Sequence, residues 1–237
     1  MSFFFHPLTY RHQLTFHRLN RIEVVQEGTI RIDPIASFDD AGLHPVMREN
    51  VEKAGYMKPT TIQSYALPAI FKGHDIVACA QTGSGKTAAF FIPTLSKLMG
   101  KAKKLAAPRP NPATFEEGVD APVTAEPLML VVCPNRELAV QIFNEARRFC
   151  YRSMLRPCVI YGGGPSGEQA RQLQKGCDVL IGTPGRLCDF IEKPNILSLR
   201  RLKYMVIDEA DELLSSDWAD ELGKIMSGGG ECFLSSS

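Results

Sequence analysis

In the second half of the chain, short apolar runs alternate with longer stretches whose apolar residues recur every three or four positions. Residues 128–133, 156–161, 178–181 and 202–207 have strand length and are rich in Val, Ile, Leu, Met and Cys. Between and after them, 136–150, 166–174, 185–192 and 211–226 have helical spacing; in the first of these Leu138, Ala139, Ile142, Phe143, Ala146, Phe149 and Cys150 share one face. Short buried strands alternating with helices predict an α/β fold, a parallel sheet with helices on both faces. Ligands of such sheets sit at the carboxyl ends of the strands.

The first half is less regular. A helix over 43–54 carries Leu43, Val46, Met47 and Val51 on one side, with Asp39 or Asp40 as its cap and Gly55 at its end. A second helix starts near Gln63 and runs toward Ile70. A strand-like run, 75–79, is followed by a helix over 88–99. Residues 100–127 break the pattern with Pro108, Pro110, Pro112, Pro122 and Pro127, a basic start and an acidic finish. With little to bury, they are expected to form a mobile insertion inside one domain, because the alternation resumes beyond them. Residues 1–33 read as a disordered leader, 34–226 as the folded domain and 227–237 as an atypical, truncated tail.

Composition narrows the class. Of 237 residues, 44% are hydrophobic and 22% charged, enough for a soluble domain with a core. A net charge of +1 gives no global polyanion signal, so any nucleic-acid contact must come from a local patch or from backbone dipoles. The seven cysteines form no C-x-x-C pair and have no companion His at zinc spacing. Reduced thiols in a cytoplasmic or nuclear compartment are expected. No apolar run reaches membrane-spanning length, and no membrane partner is expected.

The chemistry begins at Ala80-Gln81-Thr82-Gly83-Ser84-Gly85-Lys86-Thr87. A tight Gly/Ser loop between a strand-like run and a helix fits a phosphate-binding loop. Small residues let backbone N–H groups turn inward, and the helix start adds its positive end. Lys86 would reach the outer phosphates of a nucleotide and the Thr87 hydroxyl would ligate Mg2+. The strict pattern opens on Gly where this chain has Ala80, which is small enough to keep the loop. The alternative is a Gly/Ser turn with a solvated lysine. Farther on, Met205-Val206-Ile207 runs straight into Asp208-Glu209-Ala210-Asp211. Asp208 suits a carboxylate that holds a metal-bound water, and Glu209 one that polarises the water attacking a γ-phosphate. An acidic helix start would account for Asp211 and Glu212, but not for two acids directly after an apolar strand. The amide of Gln63 matches N6 and N7 of adenine, and Phe38 could stack on the same base; taken alone, Gln63 is more often an ordinary surface residue.

Taken together, these segments resemble the DEAD-box ATP-dependent RNA helicases. Asp208-Glu209-Ala210-Asp211 is similar to that family's motif II, and Ala80 to Thr87 to its motif I, leading Ala included. Gly55 to Gln63 resembles the Q motif that reads adenine, with Phe38 upstream as the stacking ring. Pro134-Asn135-Arg136-Glu137-Leu138-Ala139 resembles motif Ia, Gly163-Gly164 the glycine pair, and Thr183-Pro184-Gly185-Arg186 motif Ib. Tyr151 to Gly163 looks most like the Vasa-like subfamily.

The resemblance implies an amino-terminal RecA-like domain binding ATP and Mg2+. Its nucleotide contacts would be Phe38, Gln63, Thr82, Gly83, Ser84, Gly85, Lys86, Thr87 and Asp211, with Lys86, Asp208 and Glu209 catalytic and Thr87 and Asp208 at the metal. It implies RNA held by its backbone, without sequence reading, at Arg136, Gly163, Gly164, Thr183, Gly185 and Arg186, by a monomer. Asn135 stands where the family has Thr, and Thr61 where it has Pro. Of the family's Ser-Ala-Thr strand, Cys232-Phe233-Leu234 could be a stub, with three serines where Ser-Ala-Thr belongs, and the second RecA-like domain, source of the arginine fingers, is expected to be missing. Loss of that strand is expected to leave a gap beside the strand ending in Asp208. Two functions follow: the ATP-binding half of an RNA helicase, or a non-catalytic nucleotide- or partner-binding fragment. A small-molecule kinase leaves Gln63 and Thr183 to Arg186 unexplained.

Overall fold

His44, not Asp39 or Asp40, starts the first helix. In the computed structural model, which describes residues 24–107, 109–116, 119–215 and 218–228, helix α1 is Pro45–Lys53. His44 Nδ1 accepts the Val46 N–H at 3.3 Å, and Pro45 has no N–H to leave unpaired. Asp39 and Asp40 open a separate 3-10 turn, Asp39–Ala41, and Asp39 pairs with Arg48 at 2.6 Å. The leader through residue 23 and the tail from residue 229 lie outside the described residues.

The chain divides into two units, Met1–Lys97 and Leu98–Ser237. In the first, α2 (Thr61–Lys72) ends at Gly73, whose φ of 87° is the left-handed turn that closes a helix. Helix α3 (Lys86–Gly100) starts inside the phosphate loop and buries Phe91, Ile92 and Leu95. The run 75–79, predicted as a strand, pairs with no strand among the described residues. Val77 is 96% exposed there. Its apolar composition suits a sheet interior, but a strand forms only where a neighbour supplies the ladder hydrogen bonds.

The second unit opens with the short helix α4 (Ala102–Leu105). Within 100–127, expected to be mobile, Arg109 pairs with Asp178, Val123 N–H donates to Gln174 O at 2.9 Å, and Ala125 exchanges bonds with Ile196 and Ser198. There follow β1 (Met129–Val132), α5 (Arg136–Phe149), β2 (Pro157–Ile160), α6 (Ser166–Gln174), β3 (Val179–Gly182), α7 (Pro184–Ile191), β4 (Tyr204–Ile207), α8 (Ala210–Ser215) and α9 (Ala219–Met226). The single helix expected over 211–226 is thus two, with Trp218 at the start of the second.

The four strands form one sheet in the order β2-β3-β1-β4, every pair parallel. Central strands β1 and β3 are buried at every residue, so both their faces are covered. Leu130, Val132, Leu180 and Ile160 pack with Leu187 and Phe190 of α7 and with Leu222 and Ile225 of α9. The alternate residues Met129, Val131, Val179 and Ile181 are equally buried, and α5, which packs on β2 and β3, buries Ala139, Ile142, Ala146 and Phe149. A Phe as buried as Phe149 resists truncation to Ala by about 3–5 kcal/mol. β4, at the edge, is half-buried along its whole length.

Candidate nucleotide and nucleic-acid site

The phosphate loop of the first unit closes on itself. Gly83 and Gly85 have φ of 79° and 92°, a conformation that glycine adopts without penalty. A side chain at 85 would also meet Gln63, whose Nε2 would lie 2.4 Å from an added Cβ. Lys86 Nζ donates to the Ala80 carbonyl at 2.7 Å across the loop. Ser84 is buried, and its hydroxyl has no hydrogen-bond partner among the described residues. A buried hydroxyl left without a partner, a lysine donating to a neutral carbonyl and glycines in the left-handed conformation fit a site made for an anionic guest. Thr87, the second residue of α3, is half-buried, and Thr82 is exposed.

Gln63 lies inside this unit, fully buried. Its Oε1 accepts the Thr60 N–H at 3.0 Å and its Nε2 donates to Gly85 O at 3.1 Å, so the amide joins the start of α2 to the phosphate loop. Phe38 is 2% exposed, with its ring edge-on to Tyr56 at 6.5 Å between centroids. Both residues are therefore packed into the unit that carries the loop, and neither presents an open face.

In the second unit the parallel register brings the remaining predicted residues to one rim. Ile160, Gly182, Val132 and Ile207 are cross-strand partners at the carboxyl ends of their strands. Hydrogen bonds continue one step beyond: Thr183 N–H to Ile160 O at 3.2 Å, Cys133 N–H to Gly182 O at 3.1 Å and Asp208 N–H to Val132 O at 2.9 Å. The loops after β2, β3, β1 and β4 therefore stand side by side in that order. Gly163-Gly164, Thr183 to Arg186, Arg136 and Asp208-Glu209 belong to these loops or the helix starts they feed.

At β4 the turn is tight. Glu209 has φ of 52°, rare for a residue with a side chain, and Asp208 Oδ1 accepts its N–H at 3.2 Å. Burial, then hydrogen bonding and repulsion from Glu212, then the charges of Asp208 and Asp211, raise the Glu209 carboxyl above the usual range. Burial beside the Asp208 and Glu209 charges pushes the Cys133 thiol up to about 12. Asp211 is exposed in the first turn of α8, where its charge complements the helix dipole.

Arg136 and Arg186 differ. Arg136 is exposed at the start of α5, its guanidinium 4.7 Å from the centre of the Tyr161 ring. Asn135, found where the family has Thr, caps that helix by accepting the Leu138 N–H at 3.0 Å. Arg186 keeps only 10% of its side chain exposed, donates to Gly164 O at 3.2 Å and lies 3.4 Å from Asp189. Its Nε and Nη1 are buried without a hydrogen-bond partner among the described residues. Thr183 is buried, and its hydroxyl accepts the Gly162 N–H at 3.3 Å. Gly163, with φ of 76°, is exposed, while Gly185 lies 3.8 Å, as an added Cβ, from Trp218.

Two residues of this rim have roles that a motif-based reading does not assign, Tyr161 and Gln169. Gln169 is a buried polar residue one turn before the buried Leu173 on α6. A glutamine in step with the apolar face of a helix was the available signal.

The model of the DEAD/DEAH box helicases matches residues 60–232. The chain belongs to that family. Among solved structures, the RNA-helicase Prp28 from Chaetomium thermophilum bound to ADP matches this DEAD/DEAH box chain with a TM-score of 0.68 and 32% identity. The match covers 85% of the DEAD/DEAH box chain and 45% of Prp28, so the chain spans less than half the length of that helicase. The likeness extends to the RecA-like arrangement of the parallel sheet described above.

Proposed function

We propose that the chain is the ATP-binding half of an ATP-dependent RNA helicase of the Vasa-like subfamily. The observation that carries this is the phosphate loop, which holds a buried hydroxyl without a partner among the described residues, a lysine donating to a neutral carbonyl, and two glycines in the left-handed conformation. Membership of the helicase family and the likeness to an ADP-bound Prp28 support it.

In this account Gly83, Ser84, Gly85 and Lys86 bind the phosphates, with Thr82 beside them in the same loop, and Asp211 is a further nucleotide contact by family resemblance. Gln63 fixes the loop through Gly85. Thr87 and Asp208 are oxygen donors of the kind Mg2+ takes, and the ion when bound neutralises charge on the phosphates. Glu209 accepts the proton of the attacking water. Arg136, the helix start behind it and the Gly163-Gly164 turn grip RNA phosphates without reading bases.

Competition titrations test the nucleotide assignment. The purified chain is expected to bind ATP more tightly than GTP, with no duplex unwinding by the chain alone. Equal affinity for the two would mean that the site makes no adenine-selective contact. The non-catalytic reading is distinguished by single-turnover ATP hydrolysis, which it lacks.

A further inference from the structure

Among the described residues β2 is an outer strand of the sheet, and Tyr161, which follows it, has no strand on its free side. Gln169 supplies the missing partner. Its Oε1 accepts the Tyr161 N–H at 2.9 Å and its Nε2 donates to Tyr161 O at 3.1 Å. A primary amide offers the same donor and acceptor pair as a peptide group, so this side chain serves as one rung of a ladder. Gln169 is 8% exposed, and a buried pair of this kind is costly to break.

The clamp fixes what lies on Tyr161. Its ring carries the Arg136 guanidinium, and on the same loop a Cβ at Gly164 would come within 2.8 Å of Gln169 Nε2 and 3.0 Å of the ring. Gly164 in turn is held by Arg186 at its carbonyl. A guanidinium stacked on an aromatic face keeps its in-plane N–H donors free. Among the described residues no carboxylate pairs with Arg136.

We propose that Gln169 is a positioning residue for RNA: by clamping the backbone of Tyr161 it sets the ring that holds Arg136 ready for a phosphate. The proposal rests on the RNA-backbone assignment made above. It extends the grip to two residues that touch no phosphate themselves.

The test uses the whole chain, a 5′-fluorescein-labelled oligouridine and anisotropy over a series of salt concentrations. Gln169→Leu and Tyr161→Leu are expected to weaken binding about 3- to 10-fold. Each should reduce the salt slope by about 0.7, the loss of one single-strand phosphate contact. Tyr161→Phe keeps the ring and should bind as the parent does. In an Arg136→Ala background neither leucine variant should add anything, whereas a merely structural role would add to it and leave the slope alone. A second readout needs no RNA: the Arg136 Nε–H resonance, shifted by the Tyr161 ring, should move to the position of a free arginine in both leucine variants. If Gln169→Leu does not fold, the contrast of Tyr161→Leu with Tyr161→Phe decides on the ring, and Gln169→Glu, which keeps one bond of the clamp, decides on the amide through the same resonance. An unmoved resonance, or additive losses with an unchanged slope, overturns the clamp. No oligouridine binding by the parent chain overturns the RNA assignment beneath it.

Discussion

Replacing Glu209 by Gln is expected to slow single-turnover ATP hydrolysis about 10²- to 10⁴-fold while ATP affinity stays nearly unchanged. The amide has the size of the carboxylate but cannot take the proton of the attacking water. The pH dependence separates this from a general loss. Glu209 works deprotonated, and its carboxyl is raised by burial and by the neighbouring Glu212, Asp208 and Asp211. The rate should therefore be low where the group is protonated and climb as pH rises through a midpoint above the usual carboxylate range. Glu209→Gln should lose that limb. Hydrolysis followed with chain in excess over ATP measures both. A variant as fast as the parent, with the same limb, would exclude Glu209 as the base.

Lys86→Ala should weaken ATP binding about 100-fold or more, since an ammonium–phosphate contact is a charge-assisted bond with no substitute in the loop. The fold should hardly notice. Among the described residues Lys86 Nζ has the bond to Ala80 O described above, and half-buried Ala80 can return its carbonyl to water. Calorimetric titration alongside thermal unfolding checks the pair of outcomes. Binding retained by a folded variant would place the phosphate site elsewhere.

Most of the sheet was legible in the sequence because burial on both faces leaves an unbroken apolar run. The four strands expected in the second half are all present, three of them shortened and β3 shifted by one residue to Val179–Gly182. α6 begins and ends where its periodicity does. The failure at 75–79 has a physical cause: an apolar run states what a strand would bury, not whether a neighbour exists to pair with it. The same limit explains α1, whose start was decided by Pro45 and the ring nitrogen of His44 rather than by the stronger capping residues upstream. In the site, the loop glycines and the Asp208-Glu209 pair announce themselves by spacing. The internal bonds of Gln63 and the burial of Phe38 do not, since an amide or a ring looks the same in sequence whether it faces a ligand or the core. Tyr161 and Gln169 were hidden for a related reason: their roles arise from an outer strand lacking a partner, which only the strand order reveals.

The central claim is that the turn around Gly83 to Lys86 receives the phosphates of ATP. The direct measurement is a titration of the isotope-labelled chain with ATP and Mg2+, following backbone amide resonances. The account predicts that the amides of Gly83, Ser84, Gly85 and Lys86 shift first and most, as the Lys86–Ala80 bond gives way to phosphate. Saturating ATP that leaves those four amides in place while moving others would contradict it.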